Sequence, residues 1–214
     1  MLIFDGDYPM APIALEGNFD LTQPIDVLRA SDPSHEFRMF TEHREIMASL
    51  PEMRRARVAG ALVKLSGRIL RPGSTLWGYA SGHLAYAAAQ GQLAYYRVLE
   101  AEGEVRLLTT KDAIKAHTRA WEEANQHDGL PVGLVIGMEG ADPILSPGQV
   151  GEWFEAGLRV VSLTHYGEST YAHGTATGTS GGLFPPAGDL LRAMESAGMI
   201  LDLTHASDES VREA

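Results

Sequence analysis

Short apolar runs alternate along this chain with longer segments whose apolar residues recur near the helical period. Leu2–Phe4 reads as a first buried strand, closed by the turn-prone Asp5-Gly6-Asp7. Residues Tyr8 to His43 carry several prolines and little periodicity, which predicts an extended or functional surface segment. Pro51 can start a helix through PEMRRARV, with Met53 and Val58 as a thin apolar stripe. Ala59–Leu65 follows as a second strand. Ala80–Glu102, rich in Ala, Leu and Tyr, gives the longest helical pattern, with Gly103 as its terminator.

The alternation continues with a strand at Val105–Thr109 and a helix capped by Thr110, with Ile114 and Trp121 on one face. After the Asp128-Gly129 turn, Pro131–Met138 forms a fourth strand that stops on Glu139-Gly140. A helix over Gly148–Ala156 precedes the run LRVVSLTHY. The helical segment PAGDLLRAMESAG precedes the run MILDLTHA. A last helix opens on Ser207-Asp208-Glu209, with acidic residues where the helix dipole favours them. This order predicts a parallel α/β protein of the (β/α)8 TIM-type barrel class. About six strand-helix units fit into 214 residues, where a closed barrel has eight. The expectation is therefore a single but incomplete barrel domain over residues 1–214. Its last strand-helix units are absent from this sequence, as in part of a longer protein.

Two strands end on the same dipeptide, Thr164-His165 and Thr204-His205, and a third ends on Glu139. In a parallel barrel the C-terminal ends of the strands open into the active-site mouth, where metal ligands and catalytic bases sit. Glu139 is a candidate bridging carboxylate, His205 a candidate metal ligand through a neutral imidazole nitrogen, and His165 a candidate oxyanion stabiliser. Each has a plain alternative, a solvated turn acid or a hydrogen-bonded structural histidine. His173, in a Gly- and Thr-rich loop, reads as part of a flexible connection, with a lid as the alternative. Tyr86, Tyr95 and Tyr96 read as core. His35, His43, His83, His117 and His127 share no ligand spacing and are left as surface or structural residues.

Composition narrows the chemistry. With no cysteine, disulfides, zinc-thiolate sites and thiol nucleophiles are excluded, and any metal must use His, Asp or Glu. A formal charge of −11 makes nucleic acid a poor partner. No apolar run is long enough to span a membrane, and the opening MLIFDGD reads as a strand, not a leader, so a cytoplasmic protein is expected. HExxH and GxGxxG are absent, which argues against zincin and dinucleotide chemistry.

The strings IFDGD, GMEGADPI, GLRVVSLTHY and GLFPPAGDLLRAMESAGMILDLTHASDES occur in an order that resembles the membrane (renal) dipeptidase family of the amidohydrolase superfamily. The resemblance implies a (β/α)8 barrel with a two-zinc site that cleaves dipeptides by attack of a metal-bound hydroxide. It implies that Glu139 bridges the metals, that His205 binds metal and that His165 contacts substrate. The family's His-x-Asp pair after the first strand is replaced here by Asp7 and Pro9. Asp7 keeps an oxygen donor and is a third candidate ligand; Pro9 has none. The expected cofactor is a divalent metal, zinc first, as one or two ions. The expected partner is a dipeptide-like small molecule, with Tyr8 near the substrate, and the family habit adds a homodimer. The alternative is a weakened barrel that binds a small molecule or partner without turnover.

Overall fold

The structure, a computed structural model, describes residues 1–30, 46–178 and 180–214. His35 and His43 therefore lie outside the described residues, as does the later part of the unpatterned segment. The chain divides into two compact units, Met1–Lys64 with Gln92–Ile136, and Leu65–Gly91 with Gly137–Ala214. No helix among the described residues is long and apolar enough to cross a membrane.

The first unit carries β1 (Ile3–Tyr8), α1 (Met10–Gly17), α2 (Ile25–Ala30), α3 (Leu50–Arg55) and most of β2 (Val58–Ser66). It also holds the second half of α4 (Gly82–Ala101), β3 (Val105–Leu107), α5 (Lys111–Glu123) and the first part of β4 (Val132–Glu139). Strands β1 and β2 pair in parallel, with Ile3 beside Val58, Asp5 beside Ala61 and Tyr8 beside Val63, and the register shifts between Asp5 and Tyr8. Strand β3 pairs in parallel with β4 from Val105–Val132 to Leu107–Leu134. Both β2 and β4 are nearly continuous apolar runs and are buried along most of their length, as parallel strands covered on both faces must be.

Packing in this unit explains several side chains. Trp121 of α5 is buried and donates its indole N–H to the Pro131 carbonyl at 3.0 Å. His117, one turn earlier, is also buried, and its Nε2 meets the Ala59 carbonyl at 2.7 Å, so it is a structural histidine. It lies so close to β4 that a Cβ on Gly133 would fall 2.7 Å from its Nε2. Glycine is required there for the approach of helix to strand. Thr110 caps α5 as expected, accepting from the Ala113 amide at 3.1 Å. Arg54 of α3 binds the Leu130 and Glu104 carbonyls and the Glu104 carboxylate.

The second unit carries the end of β4, a 3-10 turn at Pro147–Gln149, α6 (Val150–Glu155), β5 (Leu158–Ser162), α7 (Ala187–Ala197), β6 (Ile200–Asp202) and α8 (Asp208–Glu213). Strands β5 and β6 pair in parallel from Val160–Ile200 to Ser162–Asp202. Trp153, Tyr171, Leu158, Val161 and Leu190 are buried, and Tyr86 of α4 sets its ring edge-on to Trp153 with centroids 5.5 Å apart. Ser207 caps α8 by accepting from the Ser210 amide, the start read from the sequence.

Four expectations are corrected. Asp5-Gly6-Asp7 is not a turn: β1 runs through it to Tyr8. Nor is β1 buried, since Ile3 and Phe4 are 43% and 45% exposed. The stretch after Tyr8 is partly helical, with α1 and α2 inside it. Helix α3 also stops at Arg55, and Val58 starts β2 because Arg57 adopts a left-handed φ of 60° that ends the helix.

Glu16, near the end of α1, sets a pH dependence. Among the described residues its Oε1 is buried with no hydrogen-bond partner, and burial pushes its carboxyl pKa up to about 7. The folded state therefore holds a proton that the unfolded chain has released. Its stabilising effect is complete below the ordinary pKa of 4.5 and is lost as pH rises to about 7. Because the carboxyl is partly solvated, about 1–2 kcal/mol is expected across that window. Glu16→Gln should raise the denaturation midpoint at pH 8 and leave it unchanged at pH 4.5, as urea titrations at the two pH values would show.

Candidate metal centre

Glu139, His165 and His205 come together in the second unit. Each offers one ligand atom, and the three atoms all lie within 4.8 Å of one another. His205 Nε2 is 3.1 Å from Glu139 Oε1, and His165 Nδ1 is 3.5 Å from Glu139 Oε2. The carboxylate thus spans the two imidazoles, one oxygen to each. The imidazole rings lie 4.9 Å apart, and Tyr166 packs against both, 5.0 Å from His165 and 4.0 Å from His205. The Glu139 side chain is 10% exposed and the histidines 16% and 17%, so the group is shielded yet reachable.

Local structure fixes each of these side chains. Glu139 is the last residue of β4, and the chain then turns at Gly140, whose φ is 82°. A Cβ on Gly140 would lie 3.3 Å from both the Cβ and the backbone N of His165, so glycine serves both the turn and the close approach. The Ser162 hydroxyl accepts from the Gly140 amide at 3.1 Å and donates to the Met138 carbonyl at 3.3 Å, clamping both sides of Glu139. Arg68 donates twice to the His165 carbonyl, at 3.1 and 2.6 Å. Burial lowers the pKa of this guanidinium, opposed by the charges of Glu139 and Asp142. An arginine remains charged regardless. His205 has φ 66°, and its carbonyl accepts from the Thr175 amide at 2.8 Å. A left-handed backbone at a non-glycine residue is uncommon and clusters at functional sites.

Behind the group, Asp142 is buried and holds two segments together. Its oxygens accept from the Ile69 amide, the Arg71 guanidinium, and the Thr170 amide and hydroxyl, at 2.7–2.9 Å. Tyr171 closes this corner by donating to the Ile144 carbonyl at 2.5 Å. Burial and Asp142 push its phenol up to about 12.

One carboxylate and two imidazoles form a nitrogen and oxygen donor set of the kind that binds zinc and similar cations. Three donors leave coordination positions for water and substrate, as catalytic sites require. On the chemistry of its donors, the group fits a divalent ion.

The other expected site residues, Asp7 and Tyr8, lie in the first unit. Tyr8 is buried, its hydroxyl donating to the Ala48 carbonyl at 3.1 Å, and burial raises its pKa well above the ordinary phenol value. Asp7 sits beside the Lys64 ammonium, Oδ1 to Nζ 4.0 Å. His173 is tied into its loop, Nδ1 on the Gly182 carbonyl at 3.0 Å and Nε2 3.5 Å from Glu168, with its ring against Phe184. His83 is exposed, and His127 binds the Trp121 carbonyl. Tyr96 is core, linking the Ala11 amide to the Lys64 carbonyl, with Tyr95 beside it. Sequence reasoning passed over Arg68, Asp142, Ser162 and Lys64. Only Lys64 left a signal, as the one charge inside the apolar run AGALVKLS.

Comparison with known proteins agrees in fold and family. The family model described as membrane dipeptidase (peptidase family M19) matches residues 15–214. An uncharacterized dipeptidase of Schizosaccharomyces pombe is 31% identical over 86 residues, 39% of this chain and 21% of that protein. A metallo peptidase from Rhodobacter sphaeroides, solved with a phosphinate mimic of the dipeptide L-Ala-D-Ala, superposes with a TM-score of 0.70. It is 15% identical, over all of this chain and 61% of that one. Dipeptidase AC, a metallo peptidase of the same M19 family, gives 0.66 at 18% identity, over all of this chain and 59% of its own. The probable dipeptidase PvdM from Pseudomonas aeruginosa gives 0.65 at 16%, over all of this chain and 49% of its own. At these identities the structures show the fold: the α/β barrel class read from the strand-helix alternation. The chain spans from about half to three fifths of these structures and about a fifth of the curated relative.

Proposed function

This chain belongs to the membrane dipeptidase family, peptidase family M19, and on that premise we propose that it is the metal-holding part of a hydrolase for dipeptides or related small amides. The observation that carries the reading is the convergence of Glu139, at the end of β4, with His165 and His205, each three residues past the end of β5 or β6. Glu139 and His205 would hold a divalent cation, zinc first among the candidates. When bound, such an ion supplies a nucleophilic water at neutral pH and polarises a carbonyl oxygen.

The chain's own residues do the rest. Glu139 keeps a carboxylate oxygen on each side of the group, fixing both imidazoles. His165, held through its carbonyl by Arg68, is placed to donate a hydrogen bond where negative charge grows on a scissile amide oxygen. Tyr166 walls the two rings and limits the water that reaches them. The dipeptide mimic carried by the Rhodobacter sphaeroides relative supports a substrate of that size. A second reading, binding without turnover, has one observation in its favour, the Asp7 and Pro9 that stand in place of the family's His-x-Asp pair.

Metal removal separates the two. A panel of L,L and L,D dipeptides should be hydrolysed, the activity should disappear on dialysis against chelator, and zinc or manganese should restore it. Turnover that survives chelation would overturn the metal reading. Folded, metal-loaded protein that binds dipeptides but never cleaves them would establish the second.

A further inference from the structure

Lys64 lies in β2, the one charge in the strand sequence VAGALVKLS, and its side chain is only 2% exposed. A buried ammonium is costly unless an opposite charge meets it. Asp7 supplies one. Its position follows from the register shift that separates the Asp5–Ala61 and Tyr8–Val63 pairs, since Asp7 falls within the irregular stretch of β1 alongside β2. Its backbone N–H donates to the Asp5 carboxylate at 3.0 Å, which fixes the local chain. Two residues on, Pro9 is the N-cap of α1 and has no side-chain donor atom.

We propose that the Asp7 carboxylate is committed to the Lys64 ammonium and is not a metal ligand. The divalent ion of the proposed function is then held by Glu139 and His205 without Asp7. The inference rests on the proposed function for the existence of that ion, but the Asp7–Lys64 pair stands on its own geometry. A divalent ion on Asp7 would have to displace the ammonium or share its carboxylate with it, and like charges at such separations disfavour each other. The replacement of His-x-Asp thereby gains a physical sense: a carboxylate stands at the histidine position, its counter-charge built into the adjacent strand.

The test uses zinc and manganese titrations by calorimetry, with elemental analysis, on the whole chain and on Asp7→Asn and Glu139→Gln variants. One ion per chain is expected in the parent and in Asp7→Asn, with Kd changed by less than about threefold. Glu139→Gln should weaken binding by about a hundredfold or more, beyond the range for a mere second-shell partner. A tenfold or greater loss in Asp7→Asn, or two ions in the parent and one in that variant, would overturn the inference. A thermal-melt cycle over Asp7→Asn, Lys64→Gln and the double variant reports on the pair without metal. The double variant should lose less than the sum of the singles, by roughly 3 °C. Additive losses would overturn the pairing even if the metal count were one. Folded protein that binds no ion, with the cycle still non-additive, would overturn the metal reading and uphold the pair.

Discussion

Glu139→Gln should leave a folded chain that no longer retains its divalent ion and that turns over dipeptide about a hundredfold to a thousandfold more slowly, the usual loss when one electrostatic group at a reacting centre is removed. Glutamine preserves the shape of the side chain and can still hydrogen-bond both imidazoles, so the melting temperature of metal-free protein should barely move. The loss should fall on kcat more than on KM, because the carboxylate acts on the cation and the two rings, not on the substrate's side chains. Measuring metal content and steady-state kinetics on one preparation checks both halves. Full activity with full metal content in the variant would remove Glu139 from the centre.

Asp142→Ala should cost more stability than any substitution within the metal centre, about 3–5 kcal/mol, the range for breaking a buried, hydrogen-bonded charge pair. Four donors converge on this carboxylate, two of them backbone amides, and alanine would leave the Ile69 and Thr170 amides without their acceptor. Arg71 would lose its carboxylate partner in a part-buried position, where its Nε already has no hydrogen-bond partner among the described residues. The same segment carries Arg68, whose two bonds hold the His165 carbonyl, so metal affinity should fall alongside stability. Guanidinium denaturation of parent and variant gives the number. A loss under about 1 kcal/mol, the median for exposed pairs, would mean that Asp142 is not the tether described.

The sequence made the strand ends legible to within three residues, because a parallel strand reads as an uninterrupted apolar run: Glu139 closes β4, whereas β5 and β6 stop at Ser162 and Asp202, three residues before the Thr-His ends read from the sequence. Glu139, His165 and His205 could therefore be picked out and expected at the same ends of their strands, and the helices behind them followed from Thr110 and Ser207 as caps. The first strand misled because Asp5-Gly6-Asp7 has turn chemistry in every local respect. Pairing with β2, which sequence proximity cannot reveal, holds it extended. Helix α1 escaped notice for another reason. Met10, Ala11, Pro12 and Ala14 are buried, but the rest of the helix carries apolar Ile13 and the half-exposed Leu15, so it lacks the polar face that gives periodicity its contrast. Arg68 and Asp142 were invisible because their roles consist of bonds to atoms 28 to 97 residues away.

The left-handed backbone at His205 restricts the substitutions this site can explore. A β-branched or bulky residue there bears a conformational penalty of about 1–2 kcal/mol before any chemistry is lost. Asparagine, aspartate and glycine bear little of it. Of these, only aspartate keeps an ionised ligand. Aspartate there would exchange an imidazole nitrogen for an oxygen donor, which favours harder ions such as manganese or magnesium over zinc at the proposed centre.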